Sequence, residues 1–505
     1  MKLVIIFILL ILIELTFSYK VLVFNPAFGA SHSNFLGKIS DILLDAGHDV
    51  TMLIPVFMSS KKDLVGSKKI TKIIRIDQDR RSKQMHEEAN LEEMMKKQIW
   101  KLDADNSAFF FMIKNFSLAC GYECEPLFDH IGVKTVINAD SVLHLDIVKY
   151  ALGEPASTSF YPGPFSKFID KMSFFERTRN LLGYAFLWYF SWTRFQAELE
   201  AIKPYYNKSL SWEDHINGAA FYLINSNQYL DFASPTLPKT VFIGGMQVNT
   251  KKDGKMELEK EWDDLLSLRK ENVLVSFGSN AFSSDMPAEF KKAFLEVFAS
   301  MPDTTFIWKY EEANATLADH LPNVKLTTWM PQNDLLADDR LTLFITHGGL
   351  GSSIELAYQG KPSLVIPLTS DQPRNALMLT RHGGALELDK TNLDKPNKIL
   401  HAIKTILDDP NYRKNAEKLA SILSSQPHQP KDVVLKHCDF AVKFGDLKTL
   451  NSEGRNLNLL QFYSIDIALA ALAVTVSVLL IVASLIRCLF RKIVSLFLNV
   501  KIKTE

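Results

Sequence analysis

Apolar positions along the first part of the chain alternate between short continuous runs and helical spacing. KVLVFNP (20–26) is an apolar strand, and from Ser33 the residues Phe35, Ile39, Ile42, Leu43 and Ala46 recur at the period of an amphipathic helix. Gly47 closes that helix and DVTMLIP (49–55) predicts the next strand, which makes a βαβ unit. The pattern returns in the second half. NVLVSFG (272–278), TFIWKY (305–310), VKLTTW (324–329), LTLFIT (341–346), PSLVIP (362–367) and GALELD (384–389) are apolar runs that alternate with amphipathic stretches such as 288–299, 351–359 and 396–408. Six continuous apolar strands with crossover helices predict a parallel sheet buried on both faces. The fold class is therefore α/β, two Rossmann-like domains facing a cleft at the carboxyl ends of their strands, where ligands bind in such sheets. PKTVFIGGMQVNTKKDGK (238–255) ends in polar residues and reads as the linker.

Two stretches are apolar without any such alternation. LVIIFILLILI (3–13), after Lys2 and before the small-residue step Thr16-Phe17-Ser18, is expected to be a secretory signal peptide. IALAALAVTVSVLLIVASLI (467–486) carries no charge, and its twenty residues span about 30 Å as a helix, one hydrocarbon thickness. Arg487, Arg491, Lys492, Lys501 and Lys503 follow it, so the positive-inside rule places the tail in the cytosol and residues 19 to 465 in the lumen. This predicts a single-pass type I membrane protein. The tail resembles a dilysine signal at Lys501 and Lys503 that retains such proteins in the endoplasmic reticulum membrane. Lumenal placement would expose the glycosylation sequons at Asn115, Asn207 and Asn314. The expected organisation is a signal peptide at 1–18, an N-terminal domain at 19–248, a C-terminal domain at 249–440, a return segment at 441–465, the membrane helix at 466–487 and a cytosolic tail at 488–505.

Composition narrows the class further. Lys plus Arg equals Asp plus Glu at 57 each in 505 residues, so no charge excess recommends nucleic acid as a partner. Cys120, Cys124, Cys438 and Cys488 are too few, and wrongly spaced, for a metal site, although a lumenal disulfide among the first three stays open. No G-x-G-x-x-G follows either domain's first strand, which argues against a nicotinamide dehydrogenase.

The candidate chemistry lies at strand ends. FITHGGLGSSIE (344–355) is a buried strand that stops at His347-Gly348-Gly349 and restarts as a helix. Glycines let the backbone approach a bulky anion, and a helix start offers free N–H groups and a positive dipole end. Ser279, in the turn after the first strand of this domain, can supply a second phosphate contact. Trp329, with Gln332 after it, is an aromatic at another strand-to-helix turn and can stack on a base. Glu355 can accept from both hydroxyls of a ribose, and Asp371 and Gln372 are groups that read sugar hydroxyls.

Residues 329–375, WMPQNDLL through FITHGGLGSSIELAYQGKPSLVIPLTSDQPRN, resemble the signature of the UDP-glycosyltransferases, and the membrane-bound animal UDP-glucuronosyltransferase branch fits best. The likeness extends to the His32 turn, VFIGGMQ (241–247), HCDFAVKFGDLK (437–448), the span and the tail. It implies the two-domain GT-B type of fold and inverting transfer of glucuronic acid, or another sugar, from a UDP-sugar co-substrate to a small lipophilic hydroxyl, with no metal or bound cofactor. It places Trp329 on uracil with Gln332 beside it and Glu355 on ribose. It assigns Ser279, His347, Gly348 and the Gly349–Ser352 backbone to the diphosphate, and Asp371 and Gln372 to the sugar. Gly351 stands where relatives commonly have Asn, so backbone N–H groups replace a side-chain contact there. A homo-oligomer is compatible with this reading, which nothing in the chain decides.

His32, at the junction after the first strand, matches the family's catalytic base. The family orients that base with an Asp at a strand end. In this chain the text between KNFSLAC (114–120) and GYECEPLFDHIGVKTVINA (121–139) reads as if about one βα unit, roughly 30 residues, were absent. Asp129 reads as a solvated helix position and Asp140 as the close of a later strand, neither in the expected context. The alternative is therefore a catalytically impaired UDP-sugar-binding membrane protein that lacks a carboxylate partner for His32.

Overall fold

The computed structural model describes residues 18–27, 29–80, 83, 99–100, 132–203, 211–248 and 258–501. Most of the expected signal peptide, Asn115, Asn207, Cys120, Cys124, Asp129, Lys503 and the stretch where a βα unit was expected to be missing lie outside them. The chain divides into two units, Met1–Asn451 and Ser452–Glu505.

In the larger unit, β1 (Lys20–Phe24), α1 (Ala30–Asp45) and β2 (Asp49–Pro55) form the expected βαβ unit, and β3 (Ile73–Ile76) adds a third parallel strand. Ala46 and Gly47, with Gly47 at φ +88°, end the helix. A second parallel sheet joins β4 (Asn138–Asp140), β5 (Tyr222–Ile224) and β6 (Thr240–Phe242). Both sheets share a core in which Val23, Phe35 and Leu43 pack with Leu223 and Val241. The segment expected to be a linker thus begins as a strand, because Thr240–Phe242 pairs with β5 before the polar residues start. Helices α2 (Asp146–Leu152) and α3 (Phe174–Ile202) attach to this half, with the short helix Trp212–Gly218 packed beside them. A reciprocal capping box between Ser173 and Glu176 starts α3. Phe174, Phe175, Leu181, Leu182, Phe186 and Tyr189 on α3 are exposed, so core packing does not account for them.

The six strands expected in the second half are present as β7 (Glu271–Ser276), β8 (Thr304–Lys309), β9 (Val324–Thr327), β10 (Leu343–Thr346), β11 (Ser363–Val365) and β12 (Ala385–Glu387). They form one sheet in the order β12-β11-β10-β7-β8-β9. All neighbouring pairs are parallel. Leu274, Ile307 and Phe344 face one core, and Val273, Phe306 and Ile345 face the other, which is why these strands read as continuous apolar runs. Between them lie α4 (Ala288–Ala299), α5 (Gln332–Ala337), α6 (Leu350–Gln359) and α7 (Gln372–Thr380), and α8 (Pro396–Asp408) follows β12. In order of appearance the sheet reads 3-2-1-4-5-6, so the topology reverses between β7 and β10. The crevice at the strand ends of that switch point is where such sheets bind ligands.

The second domain was expected to run to residue 440. Instead α9 (Pro430–Phe444) already returns to the first half, where Val434, Cys438 and Ala441 join the core of β1 and β5. Cys438 is a free, buried thiol, and burial raises its pKa to about 12. In the smaller unit, α10 (Ile465–Lys501) continues well beyond the expected 466–487, and its stretch Ile465–Ser495 is long and apolar enough to cross a membrane. Helical backbone persists through Arg487, Arg491 and Lys492, because nothing in that basic stretch breaks a helix.

Candidate functional site

The switch point carries the predicted phosphate residues. Gly278 and Ser279 follow β7, and His347, Gly348 and Gly349 follow β10, the strand hydrogen-bonded to β7. The glycines serve a purpose that spacing alone did not reveal. A Cβ on Gly278 would lie 2.6 Å from the His347 ring and one on Gly349 2.7 Å from its Nε2, so both make room for the imidazole itself. Gly349 caps α6, whose first amides point into the same turn. His347 is half-buried, and burial together with the neighbouring Lys309 charge lowers its pKa to about 4. The ring is therefore neutral at physiological pH, and its buried Nδ1 has no hydrogen-bond partner among the described residues. An unsatisfied imidazole nitrogen beside a helix N-terminus suits a phosphate oxygen.

Beside it, Gln332 at the start of α5 donates through Nε2 to Glu355 Oε2 at 2.6 Å and Ser352 Oγ at 3.1 Å, both on the first turns of α6. Residues 20 and 23 positions apart thus meet as one polar cluster. Burial raises the Glu355 carboxyl to about 7, the Gln332 bond opposes that, and Asp334 adds to it. Trp329, just past β9, leaves 65% of its surface exposed, an available stacking face. Gly351 has open space where a Cβ would stand.

At the next strand end, Asn375 Nδ2 donates to Asp371 Oδ2 at 2.9 Å and to the Gly348 carbonyl at 3.0 Å, which ties Asp371 to the His347 turn. Burial raises the Asp371 pKa, and the Asn375 bond opposes the shift. Gln372 Oε1 accepts the amides of Leu368 and Thr369 at 2.8 and 3.0 Å, so its amide nitrogen is the part left for a ligand. Ser370, at φ +61°, holds the strained turn just before Asp371.

In the first half, His32 sits in the first turn of α1, at the end of β1 as predicted. Burial lowers its pKa to about 4, so it is neutral and able to accept a proton. Its Nδ1 meets Ser141 Oγ, directly after β4. Asp140 closes β4 one residue before the serine that contacts His32, with Oδ1 accepting the Val142 amide at 3.2 Å and Oδ2 the Tyr222 hydroxyl at 3.3 Å. The strand is the one the sequence closes at Asp140, and its pairing partner lies more than eighty residues downstream.

Residues 45–499 match the family described as UDP-glucoronosyl and UDP-glucosyl transferase. The chain belongs to this family. Among similar proteins, the UDP-glucuronosyltransferase ugt-47 of Caenorhabditis elegans is 27% identical over 90% of this chain and 90% of its own. UDP-glucuronosyltransferase 2A2 of Mus musculus is 28% identical over 67% of this chain and 63% of its own. In fold the chain is similar to Phytolacca americana UGT2, solved with UDP-2fluoro-glucose and pterostilbene, at a TM-score of 0.51, 13% identity and coverage of 84% of this chain and 99% of that one. The protein is a glycosyltransferase of GT-B architecture. The alternative of a crippled binder loses support, since relatives matching nine-tenths of the chain are named as transferases and a polar strand end abuts His32.

Some residues of this UDP-glycosyltransferase site were not found from sequence. Lys309, at the end of β8, donates to the Gly278 carbonyl at 2.6 Å and places a cation near His347. Its signal is its position as the last residue of an apolar strand. Asn375 lies four residues after Asp371, one helical turn. Ser141 and Arg374 had no local signal. Arg374 on α7 is fully buried, 2.8 Å from Asp231 Oδ1, and its Nε donates to the Pro162 carbonyl at 3.1 Å, which joins the donor helix to the first half.

Proposed function

We propose that the protein transfers glucuronic acid, or another sugar, from a UDP-sugar to the hydroxyl of a small lipophilic acceptor, with inversion at the anomeric carbon. The observation that carries this reading is the polar cluster of Gln332, Ser352 and Glu355, set between the exposed Trp329 and the His347 turn at the sheet's switch point. Trp329 stacks on uracil and the ionised Glu355 accepts the ribose hydroxyls. Ser279, His347 and the amides of Gly349–Ser352 hold the diphosphate, while Asp371 and Gln372 hold the sugar. The acceptor oxygen attacks the anomeric carbon, the bond to the β-phosphate oxygen breaks, and the acceptor proton passes to Nε2 of His32. The departing diphosphate gains charge where the α6 N-terminus offers N–H donors. The UDP-sugar is a co-substrate, and this chemistry requires no bound cofactor or metal.

The names of the relatives favour glucuronate as the donor sugar. The apolar Ile465–Ser495 supports a membrane span, and the basic residues that follow it fit a single-pass type I arrangement, here in the endoplasmic reticulum membrane with lumenal catalytic domains. A signal peptide at 1–18, glycans at Asn115, Asn207 and Asn314 and the dilysine tail complete that proposal. Detoxification of lipophilic compounds is the physiological role it fits. Transfer from UDP-glucuronate and from UDP-glucose to 4-methylumbelliferone tests the reading. His32→Ala is expected to abolish transfer with UDP affinity unchanged, and full transfer in that variant would overturn it.

A further inference from the structure

The chain's passages between the two halves converge on one side chain. Gly244 and Gly245 follow β6 on the way into the second half, and Gln426 precedes α9 on the way back. Tyr358, in the last turn of α6, lies buried between them. Its hydroxyl donates to the Gly244 carbonyl at 3.1 Å and accepts from Gln426 Nε2 at 2.9 Å and from Asn227 Nδ2 at 3.0 Å. Asn227 Nδ2 also reaches Gln426 Oε1 at 3.2 Å, which closes the knot. Gly245 makes room for the ring, since a Cβ there would stand 2.3 Å from Tyr358 Cζ. Asn227 belongs to the segment after β5, and that segment touches both working ends of the molecule. Asn225 donates its amide to the Asp140 carbonyl at 2.9 Å and its Nδ2 to the Ser141 carbonyl at 3.0 Å, at the strand end beside His32. Further on, the Leu230 carbonyl accepts from His382 Nε2 at 2.9 Å, and Asp231 pairs with Arg374 of α7 at 2.8 Å. On α6, Tyr358 lies about one turn beyond Glu355, and the opposite end of the helix forms the His347 turn. Buried contacts thus run without a break from the His32 strand end to the donor helix.

We propose that Tyr358 is a positioning residue: its hydroxyl registers α6 against the first half and so sets the distance between the donor sugar and His32. This rests on the reading of the two sites given above. Donor and base lie on different halves, and transfer needs the reacting atoms about 3–3.5 Å apart. A misplacement of about 1 Å costs on the order of 10²-fold in rate. Tyr358 holds neither ligand nor base; it acts on their separation. The Arg374–Asp231 pair stays in place when the knot is cut, so the halves loosen at α6 without coming apart.

The test uses the full chain in lipid nanodiscs, with UDP-glucuronate and 4-methylumbelliferone as probes, UDP binding by calorimetry and amide hydrogen exchange. Tyr358→Phe is expected to lower kcat about tenfold, the worth of about one buried hydrogen bond. UDP affinity should stay within about twofold, because Trp329, Gln332 and Glu355 keep their places on one half. Amides of 243–248 should exchange faster, and those of the six-stranded sheet should not. Asn227→Ala, made on the other half, should reproduce the loss of kcat. The double variant should then be no slower than the slower single one, the non-additive mark of a shared contact. Additive losses, or kcat within about twofold of the parent in both single variants, overturn the proposal. A fall in UDP affinity in Asn227→Ala overturns it too, since the knot would then support the fold of the donor half. If Tyr358→Phe does not fold, Asn227→Ala decides by the same kcat and UDP readings. Full transfer in His32→Ala would instead sink the base reading, a failure that the UDP and exchange measurements keep separate.

Discussion

Burial lifts the Glu355 carboxyl from its ordinary value to about 7, and the Gln332 bond only partly opposes this. The sign matters for both folding and binding. A folded pKa above the unfolded one means that the protonated form favours folding, a contribution present below the unfolded value and lost as pH rises through about 7. Ribose, by contrast, needs the ionised form. UDP affinity should therefore rise between pH 6 and 8, and Glu355→Gln should flatten that rise, weaken binding and raise the apo melting temperature at pH 8. Calorimetry and thermal scans at three pH values check this, and a pH-independent parent would remove Glu355 from the ribose site. Gly351 offers the opposite experiment. The open space at its Cβ and its place in the first turn of α6 mean that Asn fits without strain. Gly351→Asn should tighten UDP binding up to about tenfold, the worth of one hydrogen bond to a charged oxygen. At this scale the sequence was legible wherever chemistry follows strand-to-helix spacing, as for Trp329, His347, Glu355 and Asp371. It was silent on Ser141 and Arg374, because their partners are set by tertiary pairing and no local pattern encodes it.

Elements were legible in proportion to their length and burial. The six-stranded sheet shows in the sequence because both of its faces are covered, so each strand is one apolar run. β4 and β6 have three residues each, too few for periodicity, and each needs β5 beside it to exist as a strand. α9 was misassigned because an amphipathic helix does not declare which core it packs on. α7 works on two sides: its N-terminus presents Asp371 and Gln372, and its body buries Arg374 against Asp231 of the other half. Arg374→Ala would leave Asp231 as a buried, unpaired carboxylate and should cost about 3–5 kcal/mol. Replacing both partners, Arg374→Met with Asp231→Leu, should recover most of that loss, since both desolvation penalties vanish together. Chemical denaturation of the detergent-solubilised protein checks the pair. Equal loss in the single and double variants would mean that Arg374 matters through its other contact, the Pro162 carbonyl.

At the scale of the whole molecule, the proposed topology makes Asn314 accessible to glycosylation, and its side chain is exposed on a turn at φ +60°. An endoglycosidase should therefore shift the mobility of the protein made in microsomes, and Asn314→Gln should reduce that shift. Protease added to sealed microsomes should remove only the tail, and digestion of the bulk would reverse the orientation. The aromatic face of α3 has a practical corollary for anyone wishing to handle the catalytic part alone. Phe175 is 78% exposed and Phe174, Leu182 and Tyr189 more than 60%, all on Met1–Asn451 and none on the helix that would be cut away. Apolar patches of this kind drive self-association in water. Removing residues 452–505 should consequently yield a protein that still enters the detergent-rich layer on cloud-point separation and elutes as aggregates without surfactant. Charged replacements at Phe175, Leu182 and Tyr189 should move it to the aqueous layer.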